Sequence, residues 1–221
     1  HRNLSSNALT LVDYWGFSDK DVLLHALPIF HVHGLFVALN TTLLAGGRII
    51  WQPKFDLTAV IRALPGSTVM MGVPTFYTRL LGDKSFGKAH CGTMRLFISG
   101  SAPLLAETHV EFENRTGMKI LERYGMTETG MITSNPYHQG ERLAGTVGYA
   151  LPEISVRIAD DKGNVLPAGE IGVLEVKGPN VFKGYWNNPE KTAQEFRGDG
   201  YFITGDVSVM TPDGRVTIVG R

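Results

Sequence analysis

The 221-residue chain is 43% hydrophobic, enough to bury a sizeable core as one large domain or two small ones. Its 21 basic and 21 acidic residues cancel, so no global field draws it to nucleic acid or an anionic membrane, and any anion binding must be local. No apolar run nears the roughly 20 residues a bilayer requires, the polar start His1-Arg2-Asn3 is unlike a signal peptide, and the single cysteine, Cys91, excludes an internal disulfide and a multi-thiolate zinc site, so a cytoplasmic enzyme is expected.

Leu4, Ala8, Leu11 and Trp15 recur three to four apart, which predicts an amphipathic helix over residues 3–14, closed by Gly16. Three apolar runs follow, residues 22–28, 68–72 and 94–99, each leading into a turn and helix signal. Short apolar runs alternating with helical patterns imply crossover units and a mainly parallel sheet. Asp56 is a good N-cap for a helix carrying Val60, Ile61 and Leu64 on one stripe, and another helix follows Pro74 through Phe76, Tyr77 and Leu80. The clearest helix pattern has Ser101 as N-cap, Pro103 in the first turn, Leu105 and Phe112 on one side, and Gly117 past its end. A short alternating strand is predicted over residues 119–123.

After about residue 150 the pattern becomes strict alternation, as in Ile154, Val156, Ile158 and again Val173, Glu175, Lys177. Asp160-Asp161-Lys162-Gly163 and Pro212-Asp213-Gly214 mark turns, the second joining residues 207–210 and 215–219 as a hairpin. The expected fold class is α/β: a mainly parallel sheet with crossover helices over residues 1–149, then an antiparallel β-rich part over residues 150–221.

The most specific stretch for chemistry is Tyr124-Gly125-Met126-Thr127-Glu128-Thr129, directly after the strand at 119–123. A glycine lets backbone pass close to a ligand, a hydroxyl can donate to a phosphate oxygen, and a carboxylate can hold Mg²⁺. Those are the needs of a nucleotide phosphate site, although a turn containing Thr and Glu is also ordinary. His31 and His33 stand two apart, as metal ligands can, but no cysteine or third clustered ligand accompanies them. Asp206 after Gly205 reads equally as an Asx-type turn residue.

Tyr124 to Glu128, together with Ser99-Gly100-Ser101-Ala102-Pro103-Leu104, Pro28-Ile29-Phe30-His31, Tyr201-Phe202-Ile203-Thr204-Gly205-Asp206 and Gly220-Arg221, resembles the ordered motif set of the acyl-adenylate-forming superfamily. Acyl-CoA synthetases, luciferases and peptide-synthetase adenylation domains belong to it. Leu121-Glu122-Arg123-Tyr124-Gly125 and Gly178-Pro179-Asn180-Val181-Phe182-Lys183-Gly184-Tyr185-Trp186 are most similar to the malonyl-CoA and methylmalonyl-CoA synthetases. The resemblance implies an acid–thiol ligase that takes a small dicarboxylic acid, ATP with Mg²⁺, and coenzyme A, through an acyl-AMP intermediate. It implies Thr127 on the α-phosphate, Glu128 on Mg²⁺, and adenine between the turn Gly100-Ser101-Ala102-Pro103 and Tyr124-Gly125. Asp206 would accept from the ribose hydroxyls with Arg221 nearby, and His31 would stand at the acyl and thioester site, while His33 reads as structural or a packing partner.

Arg123 is the expected specificity residue, since relatives that take apolar acids commonly carry a small residue there. Its planar guanidinium can grip a second carboxylate bidentately, with Ser101, in place of a common glycine, adding a donor. The bland alternative is that Arg123 pairs with Glu122 or another acid. Two family elements are not found in these 221 residues: a Gly/Ser/Thr-rich phosphate loop ending in lysine, and a mobile C-terminal domain with the adenylation lysine. The chain is therefore expected to be an excised core segment, inactive alone, which self-associates through unpaired sheet edges. Two further functions remain open at this point: a ligase for another small carboxylic acid, and a catalytically inactive nucleotide- or partner-binding module.

Overall fold

The computed structural model describes residues 1–221. Helix α1 (Arg2–Tyr14) leads through a turn at Gly16 into β1 (Val22–His25). A π-helical turn (His33–Leu39) runs on into α2 (Asn40–Leu44), followed by β2 (Arg48–Trp51), α3 (Leu57–Ala63), β3 (Val69–Gly72), α4 (Pro74–Gly82), β4 (Leu96–Ser99) and α5 (Ala106–Thr116). The expected crossover units are present, each closed by local chemistry. Asp56 caps α3 by accepting from the Ala59 N–H at 2.9 Å, Pro74 occupies the first turn of α4, and Gly117 ends α5 at φ +77°.

The strands β5 (Leu121–Met126), β6 (Gly130–Ser134) and β7 (Tyr149–Ala150) complete a seven-stranded sheet of order β2-β1-β3-β4-β5-β6-β7. Its first five strands are parallel and its last two antiparallel, so the α/β part is mixed at one edge. Every residue of β1, β3 and β4 is buried, as central parallel strands covered on both faces must be. The main core lies on this sheet, with Trp15, Leu24, Met70, Phe97 and Phe112 among its fully buried members. Asn7 ties α1 to the antiparallel edge, donating to the Met131 carbonyl and accepting from its N–H, both at 2.9 Å.

A second, four-stranded antiparallel sheet has the order β11-β10-β9-β8, from β8 (Ser155–Ala159), β9 (Ile171–Lys177), β10 (Phe202–Met210) and β11 (Val216–Gly220), with α6 (Pro189–Glu195) between β9 and β10. Glu175 is fully buried in it and is held by Arg157 at 2.8 Å and Arg197 at 2.7 Å, which satisfies a carboxylate that would otherwise be expensive to bury. Ile132 of β6 packs with Val176 and Phe202, joining the two sheets.

Four local expectations are corrected. The strand β5 runs on to Met126, so Tyr124, Gly125 and Met126 lie within a hairpin rather than after a strand. Helix α5 starts at Ala106 with Leu105 before it, so Ser101 is not its N-cap, Pro103 precedes its first turn, and Leu105 is exposed rather than packed beside Phe112. A Ser-x-Pro pattern satisfies the N-cap rule locally, but residues 100–105 are consumed by the turn that leads out of β4. Strand β2 and the π-helical turn carry no strong sequence signal and were not expected.

Candidate active site

The candidate residues gather above the C-terminal ends of the parallel strands, where loops after β1, β4 and β5 converge beside the second sheet. Strand order reverses at β1, and ligands of open α/β sheets bind in the crevice such a reversal leaves. β4 and β5 are adjacent, with Ser99 opposite Glu122, so Gly100-Ser101-Ala102-Pro103 and Tyr124-Gly125 are neighbouring segments.

Alternation along β5 sorts its side chains. Glu122 turns to α5 and accepts from His109 Nδ1 and the Gly145 N–H, each at 3.2 Å. Arg123 turns the other way and is only 3% exposed. Its guanidinium lies against Gly100, where an added Cβ would come within 2.3 Å of Arg123 Cζ. A side chain at 100 would therefore displace the guanidinium from its present place. Nε and Nη2 of Arg123 have no hydrogen-bond partner, and no carboxylate forms an ion pair with it. Burial lowers its pKa to about 10, so it remains cationic at neutral pH. The pairing with Glu122 considered as an alternative is absent.

Ser101 holds φ +69°, and its Oγ lies 3.2 Å from His33 Nδ1. His33, expected to be structural, is 1% exposed with Nε2 unpartnered; burial first, then the nearby Arg123 charge, hold its pKa well below the usual histidine value. His31 is exposed, and its Nδ1 accepts from the His33 N–H at 3.2 Å. Both imidazoles follow β1, but only His33 reaches the Arg123 pocket.

On the opposite side of β5, the Tyr124 hydroxyl donates to Asp206 Oδ2 at 2.5 Å, tying the large sheet to β10. Burial, followed by this bond to the carboxylate, raises the Tyr124 pKa, so the phenol stays protonated. Arg221 Nε lies 3.6 Å from Asp206 Oδ1. Gly125 is explained by the hairpin rather than by a ligand, since a Cβ there would stand 2.1 Å from the Gly130 carbonyl. Thr127 is exposed at the hairpin tip and makes no side-chain hydrogen bond within the chain. Glu128 Oε1 accepts from the Tyr185 hydroxyl at 3.1 Å, while the Phe182 N–H donates to the Glu128 carbonyl at 2.8 Å. Ala102 and Pro103 are exposed and supply surface without polar side chains.

The site thus divides into a buried cationic cluster (Gly100, Arg123, His33) with the exposed Ser101 at its edge, a partly buried tyrosine–carboxylate pair (Tyr124, Asp206) reached by Arg221, and an open hydroxyl–carboxylate tip (Thr127, Glu128). His33 and Tyr185 were missed as site residues. Tyr185 lies in a motif that carries the resemblance, and the reading of His33 as structural or a packing partner agrees with its burial but did not foresee its contact with Ser101.

Residues 1–186 match the AMP-binding enzyme family. The chain is 39% identical to malonate–CoA ligase of Arabidopsis thaliana, with all of this chain and 39% of that protein aligned. Among solved structures, ATP-bound MatB from Rhodopseudomonas palustris superposes with a TM-score of 0.98 at 60% identity, over all of this chain and 44% of that one. A malonyl-CoA ligase in a ternary product complex with methylmalonyl-CoA and AMP superposes with a TM-score of 0.89 at 41% identity, over all of this chain and 48% of that one. The chain thus spans less than half the length of these relatives. With residues 1–186 matched and the fold shared throughout, the chain belongs to the AMP-binding enzyme family.

Proposed function

We propose that this chain supplies the acyl- and nucleotide-binding core of an ATP-dependent acid–CoA ligase that converts malonate or methylmalonate to its CoA thioester through an acyl-AMP intermediate. The carrying observation is Arg123: a buried guanidinium with two unpaired nitrogens and no carboxylate in the chain to balance it. Keeping a cation unpaired in the interior costs several kcal/mol, a cost offset when an anionic ligand enters. A dicarboxylic acid brings one carboxylate for this pocket and a second for adenylation. The names of the relatives, malonate–CoA ligase and malonyl-CoA ligase, agree with that chemistry.

In this reading Asp206 receives the ribose hydroxyls and the Gly100–Pro103 turn and Tyr124 flank the adenine, the protonated Tyr124 phenol keeping Asp206 oriented. Thr127, free of partners within the chain, donates to the α-phosphate that the substrate carboxylate attacks. Holding the two reactants in line is the main task, since effective molarity from positioning alone removes a large part of the barrier. Glu128 fits a Mg²⁺ site: Tyr185 occupies one carboxylate oxygen and leaves Oε2 for a hard cation. The metal, when bound, offsets charge on the triphosphate. His31, exposed at the mouth, faces the acyl and thioester side. A division near residue 149 belongs to the same reading and is supported by the change of sheet between Ala150 and Ser155.

The test is ATP–pyrophosphate exchange by the full-length ligase carrying this sequence, with malonate, methylmalonate, acetate and benzoate. Exchange driven by malonate or methylmalonate and at least about tenfold weaker with the two monocarboxylates is expected, a difference within what one unpaired charge contributes. Preference for acetate or benzoate would replace the dicarboxylate reading with a ligase for another acid, and no exchange with any acid would favour a binding module.

A further inference from the structure

We propose that His33 is a positioning residue for the acyl substrate: through Ser101 it aims a hydroxyl donor at the second carboxylate of a dicarboxylic acid, beside the guanidinium of Arg123. This rests on the ligase reading above and adds a residue to it.

Ser101 is held at φ +69°, a left-handed conformation that costs any residue bearing a Cβ. A glycine would sit there freely, so the hydroxyl is retained against local strain. Its Oγ is 3.2 Å from His33 Nδ1, and His33 is buried to 1% exposure on the turn after β1. A ring this deeply buried next to a guanidinium stays neutral and carries one N–H. With the proton on Nδ1, the ring donates to Ser101 Oγ and occupies one of its lone pairs. The serine O–H is then free to donate elsewhere. Ser101 follows Gly100, against which the Arg123 guanidinium of β5 lies, so the freed O–H stands on the turn that borders that guanidinium. An anionic group seated at this turn would take the serine O–H directly and would lie beside the guanidinium charge, which no carboxylate of the chain balances. A substrate with a single carboxylate, already committed to adenylation, offers them nothing.

The experiment compares His33→Leu, His33→Asn, Ser101→Gly and the double variant His33→Leu/Ser101→Gly in the full-length ligase, reading KM and kcat for malonate and for acetate. Loss of one positioned hydrogen bond to a charged group predicts that His33→Leu raises the malonate KM on the order of tenfold and the acetate KM by less than about threefold. His33→Asn, whose amide N–H takes the place of Nδ1–H, is expected to stay within about threefold of the parent, and Ser101→Gly to make His33→Leu silent to within about twofold. Equal losses for malonate and acetate, an asparagine variant no better than leucine, or an undiminished effect of His33→Leu in the glycine background would each overturn the proposal. Should the leucine variant not fold, the remaining two decide: His33→Asn must keep the malonate KM and Ser101→Gly must raise it. Arg123→Ala, run alongside, separates the two layers. If it is not selective against malonate the dicarboxylate reading itself fails, and if it is selective while the His33 variants are not, only the role of His33 fails.

Discussion

Arg123 carries opposite consequences for stability and for activity, because the same buried, unpaired guanidinium that destabilises the empty site is what an anionic substrate would complete. Replacing it with methionine, similar in length and uncharged, is expected to raise the chemical-denaturation stability of the ligand-free protein by about 1–3 kcal/mol. In the full-length ligase, Arg123→Ala is expected to lower kcat/KM for malonate on the order of 30-fold to several thousand-fold, the range for removing one side of a buried charge pair, and to affect acetate far less. Arg123→Lys, which cannot reproduce a forked contact, falls between them. If methionine destabilises the empty protein, or alanine reduces malonate and acetate equally, Arg123 serves the fold. Its type and place were legible in the sequence, whereas its isolation was not: only the strand alternation that sends Glu122 to His109 shows that no neighbour neutralises it. The packing role of His33 was legible, whereas its contact with Ser101 was not, since the meeting of the turns after β1 and β4 is set by the sheet and not by composition.

Among the elements, those punctuated by strong local chemistry were readable in advance, as Asp56, Pro74 and Gly117 show by standing where caps and breakers belong. Ser101 shows the limit, because the pattern of a good N-cap is also that of a turn, and the length of the connection out of β4 decides between them. Strand β2 has four residues ending in a half-exposed Trp51, too short for periodicity to register, and the π-helical turn at His33–Leu39 has no propensity signature at all. The caps can be measured. Asp56→Ala removes the acceptor for the Ala59 N–H and is expected to lower stability to urea by about 1 kcal/mol, and Gly117→Ala, forced to φ +77°, by about the same amount. A change under about 0.3 kcal/mol in either would mean that the helix end relaxes without its cap.

At the scale of the molecule, β5 is the member that both halves of the site share. It presents Arg123 to one side, against Gly100, and Tyr124 to the other, where the hydroxyl meets Asp206 of the second sheet. The groups proposed for the acid and for the nucleotide are thus adjacent in sequence but face different neighbours, and removing one need not disturb the other. Asp206→Asn is expected to weaken ATP on the order of tenfold, through poorer acceptance of ribose hydroxyls, while leaving the malonate KM within about threefold. Arg123→Ala does the reverse. Because no side-chain partner is common to the two, their effects on kcat/KM in the double variant should add to within about 0.5 kcal/mol, as for sites without a shared partner. Coupling above about 1 kcal/mol would show that Tyr124 transmits strain along β5 between the pockets, so that the strand acts as one unit and acid selectivity is not separable from nucleotide binding. The double variant, measured by pyrophosphate exchange at saturating and limiting ATP, distinguishes the two outcomes.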